Sequence, residues 1–118
     1  MTVGTGLDLD ALRAAIAAKD VASAVALFAE DVELEVVDER NRPGTPFRAR
    51  GREAMTFALT DATEGLQHRV TAAVADGERA AITLVCEYPT GQLVVGNIML
   101  EHRGGLITRA HIIQAWDE

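Results

Sequence analysis

Beyond Asp8 the hydrophobic and polar positions follow first a helical period and then an alternating one. Leu9, Leu12, Arg13 and Ile16 recur at three- and four-residue spacing, so the apolar side chains of this run share one helix face. Asp8 stands where a cap belongs. After Lys19, Asp20 precedes a second run, Val21, Ala24, Val25 and Phe28, and a short carboxylate there can accept the free amides of a new helix start. The two runs predict a helical hairpin. After Glu30-Asp31 the period falls to two, with Val32, Leu34 and Val36 on one face and Glu33 and Glu35 on the other. This predicts a strand that packs on one side only.

Downstream, Glu39 to Arg50 reads as a polar loop carrying Pro43-Gly44 and Pro46. Gly51-Arg52-Glu53-Ala54-Met55 opens a third helix with Ala54, Phe57 and Ala58 as its apolar face and Gly65 as its closing residue. Four strands are predicted after it, Leu66 to Ala75, Ala80 to Tyr88, Gln92 to His102 and Leu106 to Trp116. Asp76-Gly77, Pro89-Thr90-Gly91 and Arg103-Gly104-Gly105 separate them and suit hairpin turns, so this part of the sheet is an antiparallel meander.

With 118 residues, 1–118 is expected to form a single domain with one core. The 48% hydrophobic and 25% charged residues are ordinary for a globular protein, and no apolar run reaches the ~20 residues of a membrane span. The first residues, Met1-Thr2-Val3-Gly4-Thr5-Gly6, lack the basic and apolar regions of a signal peptide, which makes a cytoplasmic location the expectation. A net charge of −7 with Lys19 as the single lysine argues against a nucleic-acid partner. The single cysteine, Cys86, excludes an internal disulfide.

Helical hairpin, strand, third helix and four further strands make an α+β domain with three N-terminal helices packed on a strongly curved, mostly antiparallel sheet. In Ala18-Lys19-Asp20, Ala26-Leu27-Phe28-Ala29-Glu30-Asp31-Val32, Phe47 with Gly51-Arg52-Glu53-Ala54, and Gly105-Leu106-Ile107-Thr108, the chain resembles the nuclear transport factor 2-like superfamily, within it the SnoaL-like and ketosteroid-isomerase-like group. The resemblance implies the cone-shaped, cystatin-like fold of that superfamily over nearly the whole chain. It does not single out a reaction, because one fold serves many chemistries. The resemblance places the isomerases' aspartate base at Val36 and their first-helix tyrosine at Leu12, and neither residue can do that work. Their second carboxyl falls at Asn97, Ile98 or Met99, of which only Asn97 can hydrogen-bond an oxyanion. The Arg-x-Asp pair of limonene-type epoxide hydrolases is absent from Ile82-Thr83-Leu84-Val85-Cys86-Glu87-Tyr88.

Strand parity then nominates polar residues for the inner face. Asp38 continues the phase of Leu34 and Val36, where a buried carboxylate would act as a base; the alternative is a solvated loop residue. His68 keeps phase with Val70, Ala72 and Val74 and either faces the pocket as a proton shuttle or closes a strand end against the third helix. His111 falls out of phase with Ala110, Ile112, Gln114 and Trp116 and belongs on the opposite face, and His102, beside a turn, reads as solvated. The catalytic candidates are therefore Asp38, His68 and Asn97, with Gln114 as a second group able to polarise an oxygen. A mostly aliphatic cavity is expected between Val36, Phe57, Leu84, Cys86, Ile112 and Gln114, with Trp116 beside it as a ligand contact or as core whose indole nitrogen meets backbone. Cys86 is expected to line the pocket as an inert thiol. Arg40, Arg42, Arg48 and Arg50 lend the polar loop positive charge, solvated or steering an anion.

No histidine or carboxylate spacing suits a metal, and no cofactor is expected. Two readings follow: proton transfer on a lipophilic carbonyl substrate, or a non-catalytic module for ligand binding or dimerisation. Leu93 to Leu100 is apolar on both faces, so the outer face of the sheet is expected to be covered by a second copy in a homodimer.

Overall fold

The computed structural model describes residues 6–63 and 67–117. Its elements are α1 (Leu9–Ala17), α2 (Val21–Val25), β1 (Phe28–Val37), β2 (Phe47–Arg50), α3 (Arg52–Thr63), β3 (Gln67–Asp76), β4 (Arg79–Glu87), β5 (Leu93–Arg103) and β6 (Leu106–Trp116). The fold is α+β, with a six-stranded, mostly antiparallel sheet. Gly65 and Leu66, expected to end the third helix and begin the next strand, lie outside the described residues. Among those described, no helix is long and apolar enough to cross a membrane.

The hairpin forms through its caps. Asp8 accepts the Ala11 amide at 3.0 Å, and Leu12, Ala15 and Ile16 are buried on one face of α1. The helix ends in a pair of reversed hydrogen bonds, Lys19 N to the Ile16 carbonyl at 3.0 Å and Asp20 N to that of Ala15 at 2.8 Å. Lys19 takes the left-handed conformation, φ 57°, where a glycine usually stands; holding a residue with a Cβ there costs about 1 kcal/mol. Asp20 then starts α2 at once, accepting from Ser23 N at 3.2 Å and from Ser23 Oγ at 2.6 Å.

The strand order is β2-β1-β6-β5-β4-β3, with β1 parallel to β6 and every other pair antiparallel. Gly104 and Gly105, at φ 61° and 85°, form the tight β5–β6 turn that L-residues fit poorly. Three sequence expectations change here. Part of the supposed polar loop is the edge strand β2, whose antiparallel register sets Arg48 opposite Glu35 and Arg50 opposite Glu33, with ion pairs of 2.9 and 2.8 Å. Those two arginines are therefore committed to strand pairing.

The second change is in β3. The register slips between Val70 and Ala72, so His68 and Val70 face inward while Ala72 and Val74 turn outward, Val74 remaining 66% exposed. A bulge inserts one residue and inverts the phase beyond it. The third is His102, which is buried, 4% exposed, and not solvated as its neighbouring turn implied. It keeps the inward phase of Leu100, and its backbone amide donates to the Glu78 carbonyl at 2.8 Å.

The helices and the inner sheet face share one core containing Leu12, Phe28, Val32, Met55, Leu100 and Ile107. Each such side chain contributes about 1.5–3 kcal/mol by leaving water. On α3 the inward residues are Met55, Ala58 and Leu59, so Phe57 sits half a turn away and is 74% exposed. A second, smaller cluster joins Cys86, Val94, Tyr88 and Trp116 at the far end of the sheet.

Candidate functional site

Between the hairpin, α3 and the inner face of β3 to β6 lies a cavity of about 90 Å³. Ala15 and Ile16 of α1, Val21 and Ala24 of α2, and Met55, Ala58 and Leu59 of α3 cover it from the helical side. His68, Leu84, Cys86, Gly96, Ile98, Ile112 and Gln114 form the sheet side. Exposed Lys19 and Asp20 also line it, which puts the opening at the joint of the hairpin.

The cavity exists because its sheet floor is short of side chains. Gly96 contributes none, and a Cβ built there would meet only Gln114 Cγ at 3.6 Å and the Ile113 carbonyl oxygen at 3.9 Å. The Gln114 stem thus crosses over Gly96, its strand partner. Among the described residues its amide enters no hydrogen bond, so it is a donor and acceptor with nothing yet to bind.

His68 and Cys86 face each other directly across β3 and β4, with Sγ 3.1 Å from Nδ1 in a buried contact. The bulge makes the pair: in a register continued unbroken from Ala72 and Thr83, His68 would stand opposite Glu87 and point away from the cavity. Burial pushes the Cys86 thiol above its ordinary range, so it holds its proton at neutral pH. Donation of S–H to Nδ1 leaves the ring proton on Nε2, whereas donation from Nδ1–H to sulfur leaves Nε2 as an acceptor. The direction of this contact and the tautomer of His68 are thus linked.

Of the residues nominated from sequence, His68, Leu84, Cys86, Ile112 and Gln114 come together here. The others do not. Asp38 Oδ1 accepts from Arg40 N at 2.9 Å, Asn41 N at 2.8 Å and Asn41 Nδ2 at 3.0 Å, so its carboxylate orders the loop after β1 and lines no part of the cavity. Asn97 faces outward, where its Oδ1 accepts from Thr83 Oγ1 at 2.8 Å; its neighbour Ile98 takes the inward place. Val36 packs into the core beyond the cavity wall, and Phe57 is on the exposed side of α3. Trp116 stacks on Tyr88 with ring centroids 5.7 Å apart, as core, yet its buried Nε1 meets no backbone acceptor among the described residues.

Parity missed the helical half of the lining. Met55 and Leu59 were overlooked because Ala54, Phe57 and Ala58 fit the same spacing; Met55 with Ala58 and Leu59 was the competing stripe, bulkier at its first position. Lys19 and Asp20 were legible as a helix joint and gave no sign of flanking an opening.

A family model for the SnoaL-like domain matches residues 9–110. The chain belongs to the SnoaL-like family. Solved structures agree with that placement. A provisionally assigned ketosteroid isomerase from Kribbella flavida superposes on this SnoaL-like chain with TM-score 0.75 at 26% identity, over 93% of this chain and 75% of that one. An NTF2-like protein of unknown function from Mesorhizobium loti gives TM-score 0.78 at 19% identity, over 91% and 87% of the two chains, a likeness of fold alone. A provisionally assigned polyketide cyclase from Xanthomonas campestris gives TM-score 0.65 at 22% identity, over 89% and 85%. No curated protein matches the sequence.

Proposed function

We propose that this SnoaL-like domain binds a small lipophilic molecule in the cavity beneath its helical hairpin and moves a proton on a carbonyl-bearing ligand there, as an isomerase or cyclase does. One observation carries the reading: an aliphatic cavity of about 90 Å³ whose polar wall residues among those described, away from the opening, are His68, Cys86 and Gln114. In this scheme the Gln114 amide donates to the carbonyl oxygen and His68 exchanges the proton on the adjacent carbon. Cys86 selects the tautomer, Nδ1–H donating to sulfur when His68 is to accept at Nε2. The implied fold is the superfamily's curved, cone-shaped sheet, with the cavity inside the cone.

The partner is a small molecule and not nucleic acid, given the net charge of −7. A second copy covers the outer sheet face, where Met99 and Ile113 are 52% and 50% exposed beside Leu93 and Val95. A cytoplasmic location fits the unpaired Cys86.

A second reading, a binding module without catalysis, is favoured by the lining itself, on which Asp20, at the opening, is the only carboxylate among the described residues. Deuterium exchange at the α-carbon of a panel of lipophilic ketones, followed by NMR in D2O, separates the two. Exchange above the buffer rate that disappears in His68→Gln and survives in Asp38→Asn supports proton transfer. Ketones that bind, shifting Gly96 and Gln114 resonances, without faster exchange leave the binding module; no binding at all removes both.

A further inference from the structure

Lys19 is the only lysine of the chain and, among the described residues, the only non-glycine at positive φ. Its backbone sits at the helix-ending position that glycine fills with less strain, so the local geometry alone gives no reason for a long side chain there. Strained positions that persist are frequently parts of sites. This one lines the cavity opening.

The opening carries one cation and one anion, and their partners differ. Asp20, the other charged residue on the lining among the described residues, accepts from Ser23 Oγ with one carboxylate oxygen and from Ser23 N with the other, and these bonds hold its pKa below the ordinary carboxylate value, so its charge is retained and already solvated by the start of α2. The ion pairs among the described residues use Arg48, Arg50 and His111, and none uses Lys19. The opening thus carries a lysine that enters no ion pair among the described residues, beside an aliphatic chamber, in a chain whose overall charge is −7.

We infer that Lys19 is a specificity residue and that the ligand class is an apolar body bearing a carboxylate, with the body in the cavity and the carboxylate on the Lys19 ammonium. The inference rests on the small-molecule pocket proposed above. A ligand of this kind meets complementary chemistry at both ends, as an alcohol or hydrocarbon of the same shape does not.

The test compares hexanoate with 1-hexanol and octanoate with 1-octanol by NMR titration of the full chain, native and with Lys19→Asn or Lys19→Arg. Asparagine tolerates the left-handed conformation, and arginine keeps the charge. The acid should bind about fivefold tighter than its alcohol in the native chain and in Lys19→Arg, the upper range for an ion pair in contact with solvent. In Lys19→Asn the preference should vanish while the alcohol binds as before. Alcohols that bind while the acids show no preference, or a preference that survives in Lys19→Asn, would overturn the role of Lys19 and leave the pocket standing. If neither acids nor alcohols shift Gly96 and Gln114 in any variant, the pocket reading falls together with this one.

Discussion

If the cavity serves a ligand, filling it should stabilise the protein and weaken binding, and Gly96→Ala is the smallest way to fill it. The added methyl would meet Gln114 Cγ at 3.6 Å and the Ile113 carbonyl oxygen at 3.9 Å, ordinary contact distances that require no neighbour to move. Gly96 has no positive φ, so alanine fits its backbone. Replacing glycine by alanine within an element gains about 0.5–1 kcal/mol from the unfolded chain, and burying one methyl adds ~0.8 kcal/mol. The net gain is therefore about 1.5 kcal/mol, which for a domain of this size raises Tm by roughly 6 °C. Calorimetry measures the shift, and NMR titration with 1-hexanol measures the loss of affinity. A lower Tm would mean that the floor of the cavity is already packed. A higher Tm with unchanged affinity would mean that the ligand does not use the space over Gly96; either result defeats the argument.

The elements were legible wherever period and caps agreed. Asp8 and Asp20 start helices, and the parity of Val32, Leu34 and Val36 against Glu33 and Glu35 gives β1 its buried face. The edge strand β2 escaped because four residues, Phe47 to Arg50, follow Pro46 and carry two arginines, which reads as loop. The charge pattern held the clue. Glu33 and Glu35 on one segment, Arg50 and Arg48 on another, are complementary at spacing two in antiparallel sense, which is what cross-strand pairing requires.

The site was less legible because parity is a local rule and bulges break it. Counting back from the Asp76-Gly77 turn, an unbroken β3 places Cys86 opposite Arg69 and sends His68 outward; only the slip between Val70 and Ala72 turns it inward. The expectation that His68 shares a face with Val70 held, while its extension to Ala72 and Val74 did not. Asp38 failed for a different reason. Asp38, three residues before Asn41, can satisfy itself locally, and that capture by nearby amides outcompetes an extension of strand phase.

Three further outcomes are expected. Ile113→Glu places a charge in the exposed apolar part of the outer sheet face and should convert a dimer to monomer by light scattering with little change in Tm of the separated chain; a monomeric native chain at micromolar concentration would count against the interface itself. Asp38→Ala should cost about 1 kcal/mol by freeing the amides of Arg40 and Asn41, and leave 1-hexanol affinity unchanged; a lost affinity would return Asp38 to the site. The last concerns Cys86, whose thiol burial holds above its ordinary pKa. As pH rises, the unfolded chain gives up this proton first, so the native state binds more protons and stability falls with pH. The contribution is complete below the pKa of the unfolded thiol and is lost as pH climbs through the higher folded value. Native protein should therefore lose stability relative to Cys86→Val as pH rises past the ordinary thiol range, and its thiol should resist alkylation until the chain unfolds. Parallel stability curves for the two proteins through alkaline pH, or rapid alkylation of the folded chain, would show a thiol that water reaches freely, and with it a cavity floor unlike the buried one from which His68 takes its partner.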